Sequence, residues 1–404
     1  MNSGVNKIKW VEKHMKVLKE LKNEYFELQP FKGINIAMSI HLEAKTAFLS
    51  IILKELGANV AITGSNPLST QPDVVEGLKS LGVNVYAEKT LDENVYWENI
   101  DKVLEINPNI IIDDGADLGH RLFEKYPEKL ENLWGICEET TTGILRYKKL
   151  LDSGKLKVPV ISINDSFMKY LFDNRYGTGQ STWDGIIRST NLTVTGKKVV
   201  VAGYGWCGKG IAMRAKGLGA NVVVTEINPI KAIEAVMDGF EVMKMDEACM
   251  IGDFFVTATG DIDIITEKHF LNMKDGAILS NAGHFDVEVK VADLERIMVS
   301  KKEVRKGIEE YVLSNKKSVF LLGKGRLVNL VNADGHPAEI MDLSFALQLE
   351  GAKYIKENKD KMSLSVEPVP YEIDNKVALL KLKTSGIIID ELTPEQKEYL
   401  GSWI

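Results

Sequence analysis

The run KKVVVAGYGWCGKGIAMRAKGLGANVVVTEI, residues 197–227, admits few folds. It reads as a buried strand, a glycine turn, a helix and a second strand. Gly203, Gly205 and Gly208 give the spacing GxGxxG, and Glu226 closes the second strand. In that context the first glycine permits the tight turn and the second lets the backbone approach a pyrophosphate. The third lets the helix pack closely on the strand. The helix N-terminus then faces phosphate charge. A carboxylate at Glu226 accepts hydrogen bonds from both hydroxyls of an adenosine ribose and repels a 2′-phosphate, which favours NAD over NADP.

The chain before this run alternates β-rich and amphipathic stretches. Strands are expected at 34–40, 59–65, 84–89 and 110–115, and later at 253–260, 276–283 and 318–323. Connections of roughly 20 residues suit helical crossovers and a parallel sheet. Polar residues gather where strands end: His41, then Ser65 and Asn66, then Asp113 and Asp114, then Glu138 to Thr142. Helix capping accounts for any one of these. Four ionisable strand ends together favour one cleft, because open α/β sheets bind ligands outside the carboxyl ends of their strands. The expected fold class is α/β, with two Rossmann-like, doubly wound domains of parallel strands and a small C-terminal helical segment. In that segment LTPEQKEYL reads as a helix capped by Thr393 and Gln396, with Pro394 at its first position.

A formal charge of −7 and a pI near 5.6 argue against nucleic acid or an anionic membrane as partner. The lysines of SKKEVRK, 300–306, alternate with glutamate and read as a solvated face. No apolar run approaches the roughly 20 residues of a membrane span, and the N-terminus lacks a signal-peptide core. Three cysteines without a CxxC pair fit a reducing cytoplasm, with no disulfide framework and no metal site.

Several segments stand in a telling order: CEETTTG (137–143), NDSFMKYLFDNRYG (164–177), VAGYGWCGKG (201–210), MDEAC (245–249), GHFDVE (283–288), GRLVNL (325–330) and GHP (335–337). Over nearly the whole chain this resembles the S-adenosylhomocysteine hydrolase family. The resemblance implies a hydrolase with tightly bound NAD, which oxidises the ribose 3′-hydroxyl. A β-elimination at C4′–C5′ then expels homocysteine, water adds, and the ketone is reduced again. It also implies a small nucleoside thioether as substrate and a homotetramer. The domains it implies are 1–176 with 336–372 for substrate, 177–335 for NAD, and 373–404 as the terminal segment. Hinges are expected at Tyr176–Gly179 and Asp334–Pro337.

By resemblance, Glu139 and Asp173 bind ribose hydroxyls, and Lys169 is the base for the 3′-hydroxyl. A lysine suits that role only when burial or cationic neighbours lower its pKa. Asp114 and His41 serve elimination and water addition, and His284 lies by the ribose and nicotinamide. Thr140, Thr141, Thr142, Asn174, Thr259 and Asn329 match NAD contacts, and His336 matches a hinge residue closing over the base. Thr178 stands where the family has cysteine, Trp206 where it has Asp, and Lys231 where it has Asn. Many members also continue with a basic, tyrosine-ended tail past the point where this sequence reads YLGSWI. His14, His120 and His269 have no such support and are expected at the surface. Rival readings are an NAD-dependent dehydrogenase and a silent NAD-binding regulator.

The turn HLEAKT, 41–46, departs from the family's His-x-Thr pattern. Lysine only donates hydrogen bonds and an ionised glutamate only accepts. Hypoxanthine offers an acceptor at O6 and a donor at N1–H, which Lys45 and Glu43 satisfy together. Adenine presents the reverse edge. Thr46 is expected to bind the substrate with them, and Asp334, in place of the family's Met, is expected to add a polar group near the base. The resemblance is therefore closer to the S-inosylhomocysteine hydrolase branch, with the S-adenosyl compound as the alternative substrate.

Overall fold

The computed structural model describes residues 2–402. Met1, Trp403 and Ile404, at the outer limits of the expected domains, lie outside the described residues. Among the described residues fifteen strands form two sheets. The first six are β1 (Asn35–Ser39), β2 (Asn59–Thr63), β3 (Asn84–Val85), β4 (Ile110–Asp113), β5 (Gly135–Glu138) and β6 (Val160–Ser162). Then come β7 (Lys198–Ala202), β8 (Asn221–Thr225), β9 (Glu241–Val242), β10 (Phe254–Thr257) and β11 (Ala277–Asn281). The last are β12 (Met298–Arg305), β13 (Ile308–Leu313), β14 (Ser318–Leu322) and β15 (Val366–Pro368).

The first sheet runs β15-β6-β5-β4-β1-β2-β3, all parallel. The second runs β12-β13-β14-β11-β10-β7-β8-β9. Helices cover both faces, so central strands such as Ile110–Asp113 are buried at every residue. Each sheet reverses its winding once, between β1 and β4 and between β7 and β10. Such reversals open a crevice at the carboxyl ends of the strands. His41 and Asp114 follow β1 and β4, while Gly203 and Thr259 follow β7 and β10.

The chain leaves the first sheet along a helical run: a short α-turn Phe167–Lys169, a π-helix Tyr170–Gly177 and an α-helix Thr178–Thr190. The hinge expected at Tyr176–Gly179 is thus a π-to-α junction and not a loop. The chain returns through Gly335, in the left-handed region at φ 75°, into the long helix Ala338–Asn358. That helix is buried from Met341 to Ala352, and its Asp342 carboxylate accepts the N–H groups of Val17 and Leu18, both at 2.9 Å. Burial raises the Asp342 pKa to about 6 against those two bonds. The first sheet is therefore completed, at β15, by chain that comes after the second sheet. The helix Tyr371–Thr384 straddles residue 372 and lies on the first sheet's core through buried Val377.

Some elements differ from expectation. The stretch 84–89 gives only the two residues of β3. Strands β12, β13 and β14 pair antiparallel and add a hairpin that the alternating βα pattern did not suggest. SKKEVRK is indeed solvated, as the exposed edge strand β12, where like-charged lysines discourage pairing with another chain. His269 is buried rather than at the surface: Nδ1 accepts the Thr266 N–H at 3.0 Å and Nε2 lies 3.0 Å from Asp246. The terminal helix Pro394–Gly401 carries the expected capping box of Thr393 and Gln396. Among the described residues no helix is long and apolar enough to cross a membrane.

The glycine-turn helix Trp206–Gly217 packs backbone to backbone on the π-helix, since a Cβ on Gly210 would fall on the Arg175 carbonyl. Gly210→Ala is expected to cost about 1–3 kcal/mol by forcing the two helices apart. A shift in the denaturation midpoint measures it, and an unchanged midpoint would show that the contact relaxes freely.

Candidate active site

The two crevices face each other across one cavity of about 520 Å³. His41, Asp114, Glu139, Lys169, Asp173 and His284 all border it, as do Thr140, Thr141 and Thr142. Asn174, Thr259, Asn329 and His336 complete the wall, with Glu43, Lys45 and Thr46 at one end.

The π-helix assembles the charged centre. Its wider turn lets one side chain meet partners four and five residues on. Lys169 Nζ lies 3.3 Å from Asp173 and 2.6 Å from Asn174 Oδ1, and 3.7 Å from Glu139. Burial pulls the Lys169 pKa down, but Asp173 and Glu139 outweigh it and raise it to about 12. This corrects the expectation of a lowered value: the neighbours are anionic, so Lys169 rests as an ammonium. Burial pushes Glu139 the other way, up to about 8, against the pull of Lys169. Asp173 is held below the usual carboxylate range, despite burial, by Lys169 and His336. It also accepts a hydrogen bond from Ser344 at 2.7 Å, while Gln348 donates to Glu139 at 2.5 Å. Both partners come from the helix Ala338–Asn358. Residue type alone did not single them out, although their four-residue spacing puts them on one face.

His336 links the two passages of the chain. Its Nδ1 lies 3.2 Å from Asp173 and its Nε2 3.2 Å from the Thr178 hydroxyl. Thr178 thus fills the family's cysteine position with a hydrogen-bonding partner. Asp374, on the helix Tyr371–Thr384, accepts the N–H groups of Phe167 and Met168 at 2.6 and 2.7 Å, fixing the turn that carries Lys169.

Asp114 sits between two imidazoles, 3.4 Å from His41 Nε2 and 3.8 Å from His284 Nδ1, and accepts from Ser65 at 3.0 Å. His284 has room to reach it from the second unit because residue 115 is a glycine; a Cβ there would strike the ring. His41 Nδ1 lies 2.7 Å from Ser69, whose hydroxyl donates to the Asn66 carbonyl at 2.8 Å. Ser69 thus fixes the ring through Nδ1, and Nε2 faces Asp114 at 3.4 Å. Burial lowers the His41 pKa to about 4, against the pull of Asp114. Ligand atoms of His41, Asp114 and His284 lie within 4.8 Å of one another. That spacing suits a metal ion and, equally, relay of a proton between two imidazoles and a carboxylate.

At the HLEAKT turn Glu43 caps the helix Ala44–Glu55, accepting the N–H groups of Lys45 at 3.0 Å and Thr46 at 3.3 Å. Lys45 Nζ is buried, 2.7 Å from Glu43 and 3.0 Å from the Asp334 carbonyl oxygen. The Thr46 hydroxyl donates to the His41 carbonyl at 2.7 Å and so braces the turn. The Asp334 carboxylate corrects its expectation. It points outward to Arg188 at 3.2 Å and is 68% exposed, so only its main chain serves the cleft.

The residues of the second crevice fit a dinucleotide. Gly203 adopts φ 95°, and a Cβ at Gly208 would fall on the Gly203 carbonyl. Space beside Gly205 is open, as a backbone approach requires. Among the described residues Asn329 Oδ1 is buried without a partner, an acceptor suited to a carboxamide N–H, while its amide donates to Ser181. The Thr259 hydroxyl donates to buried Glu288 at 2.7 Å and accepts the Asp261 N–H at 3.1 Å, which leaves one acceptor position on its oxygen. Glu226 accepts from Tyr204, Ile227 and Asn228 at 2.7 to 2.9 Å, using most of its acceptor positions to hold the glycine turn. Those N–H groups keep its pKa below the usual value although burial opposes them. Trp206 lies between Tyr170, at 5.1 Å, and the Lys209 ammonium, at 4.4 Å.

Two facing crevices, one built for a dinucleotide and one lined with proton-transfer groups, define an NAD-using α/β enzyme. Residues 1–125 match the model for S-adenosyl-L-homocysteine hydrolase, and residues 174–335 match that for the NAD binding domain of the same enzyme. An adenosylhomocysteinase of Thermotoga maritima is 58% identical over 100% of both chains. An S-inosyl-L-homocysteine hydrolase of Methanococcus maripaludis is 56% identical over 99% of this chain and 96% of its own. Among solved structures, a dipicolinate synthase from Bacillus halodurans shares the fold alone. Its TM-score is 0.51 at 14% identity, covering 81% of this chain and 99% of its own. The chain belongs to the S-adenosyl-L-homocysteine hydrolase family, and is a hydrolase that uses NAD.

The neutral state of His41 has a measurable consequence. Its folded pKa, about 4, lies below the ordinary 6.5. Between those values the unfolded chain takes up a proton that the folded chain refuses, so this contribution is present above pH 6.5 and is lost as pH falls toward 4. Wild type is therefore expected to lose stability relative to His41→Gln across that window. Parallel pH profiles of the two midpoints would show that the site does not hold His41 neutral.

Proposed function

We propose that the chain catalyses reversible, NAD-dependent hydrolysis of S-inosyl-L-homocysteine to inosine and L-homocysteine. The observation that carries the base is Lys45, a buried donor-only group at the end of the cavity, paired with Glu43. One N–H of Lys45 remains for a carbonyl such as O6. The Glu43 Oε1 oxygen, which accepts only the Thr46 N–H, remains for N1–H. The second reading, the S-adenosyl compound, is favoured by the name of the Thermotoga maritima relative.

Bound NAD supplies reversible oxidation of the ribose 3′-hydroxyl, which acidifies the C4′ proton. Thr140, Thr141, Thr142, Asn174, Thr259 and Asn329, with the glycine turn and Glu226, would hold it. Glu139 and Asp173 receive the ribose hydroxyls. As they turn to the substrate the ion pair of Asp173 with Lys169 weakens, the charge that holds its proton recedes, and Lys169 becomes able to accept one. Asp114 exchanges the C4′ proton, His41 Nε2 orients and deprotonates water at C5′, and His284 closes the site from the second unit. His336 stands at the mouth of the base site. The reading assigns residues 1–176 and 336–372 to substrate, 177–335 to NAD and 373–404 to a terminal segment.

A homotetramer is supported by exposed apolar side chains at Ile227, Ile230, Ile233 and Met237, and along the arm from Ile387 to Leu400. A cytoplasmic setting is supported by three free cysteines, of which Cys137 and Cys249 are buried.

Parallel turnover of the two thioethers tests the base. A mispaired polar edge costs about 1–3 kcal/mol, so kcat/KM should favour the inosyl compound by about tenfold or more. Lys45→Gln with Glu43→Thr keeps a capping side chain at 43 and should move preference toward the adenosyl compound. Equal or better use of the adenosyl compound by the unmodified enzyme refutes the inosyl reading.

A second test separates the steps. Lys169→Ala should lower reduction of bound NAD by a nucleoside by about 10²–10⁴. Asp114→Asn should spare that reduction more than it spares release of thiol. If both steps survive equally in Asp114→Asn, its assigned role is wrong.

A further inference from the structure

Two strand ends of the first sheet each carry a double acid, Asp113–Asp114 on β4 and Glu138–Glu139 on β5, and Asp113 stands in register with Glu138. The outer member of each pair enters the cavity. The inner members are fully buried and touch no part of it. Glu138 accepts three main-chain N–H groups: Gly115 at 2.9 Å, Ala116 at 3.2 Å and Thr140 at 3.0 Å. Gly115 and Ala116 are consecutive left-handed residues, at φ 106° and 68°. Alanine adopts that conformation only when its surroundings impose it. Here the imposing group is the carboxylate on which both amides converge.

The fit is tight on the far side as well. A Cβ on Gly143 would fall on the Glu138 carboxyl, so the first turn of the helix Thr141–Asp152 lies directly on it. Burial, Asp113 and Asp114 push the Glu138 pKa well up, so its hold on the three amides rests on their geometry and not on its charge. Asp113 does not duplicate the arrangement. Its carboxylate holds the N–H groups of Asp114 and Gly119 and the Tyr147 hydroxyl.

We infer that Glu138 is a positioning residue: it locks the left-handed turn after Asp114, aims that carboxylate between His41 and His284, and sets Thr140 with the same group. The inference rests on the role in elimination given to Asp114. Glu138→Gln puts an amide N–H₂ among converging N–H donors and frees the turn. Gly143→Ala displaces the carboxyl sterically without removing any polar group, and reads the same effect if the first variant folds poorly. In either folded variant kcat for thiol release should fall about ten- to hundredfold, with KM within about threefold. Reduction of bound NAD by a nucleoside should fall less, in samples matched for NAD content. Hydrogen exchange at the Gly115 and Ala116 amides should accelerate by about tenfold or more. Wild-type kcat in a folded variant, equal loss of both steps, or unchanged exchange at the two amides overturns the inference. Failure of the thioether reading itself shows instead in the unmodified enzyme, as absence of thiol release, while the exchange measurement still judges Glu138.

Discussion

One carboxylate, Asp173, ties together the parts that the chain topology keeps apart. From the outgoing π-helix it meets Lys169 in the turn just before, His336 on the returning segment and Ser344 on the helix that follows. Burying a charge this deeply is costly unless every partner is in place. Asp173 therefore penalises any arrangement in which one passage shifts against the other. Glu139 and Gln348 extend the same network to the end of β5. The charged centre is thus both a wall of the cavity and the fastening between the outgoing and returning passages of the chain.

The cavity exists because both sheets reverse their winding and present those reversals to each other. One supplies backbone space, at Gly203 and Gly205, and an unpaired amide oxygen at Asn329. The other supplies ionisable groups whose charge states differ sharply over short distances. Lys169 is cationic, Asp173 anionic, His41 neutral, and Glu139 titrates near 8. Proton transfer needs such separated affinities within a shared, shielded space. The base-facing turn adds a further contrast, a buried ammonium between a carboxylate and a carbonyl oxygen.

Much of this was legible in the residues. The glycine turn, the ionisable strand ends and the Thr393–Gln396 cap depend on local geometry, which spacing records. What was not legible depended on partners remote in the chain. The pKa of Lys169 follows from which charges surround it, and anionic neighbours reversed the expected direction. Glu226 commits most, though not all, of its acceptor positions to its own turn, and the Asp334 carboxylate pairs outward with Arg188, 146 residues away. His269 looked like a surface residue until the Thr266 cap and Asp246 enclosed it. The π-helix left no compositional trace, because nothing in YLFDNRYG distinguishes it from an ordinary turn of helix.

The place of β15 and the helix Ala338–Asn358 in the first sheet bears on how the chain is made. Strand β6 has only one neighbour until Val366 arrives, and the sheet face beneath the long helix stays uncovered until residue 338 has been synthesised. The second sheet, spanning residues 198 to 322, is already complete by then. A ribosome therefore releases a finished insert inside an unfinished host. The N-terminal half must wait, with apolar strands exposed, for contacts more than 150 residues away in the chain. Such long-range closure is slow and exposed to aggregation, and the first sheet cannot be closed before residues 338–368 have been made.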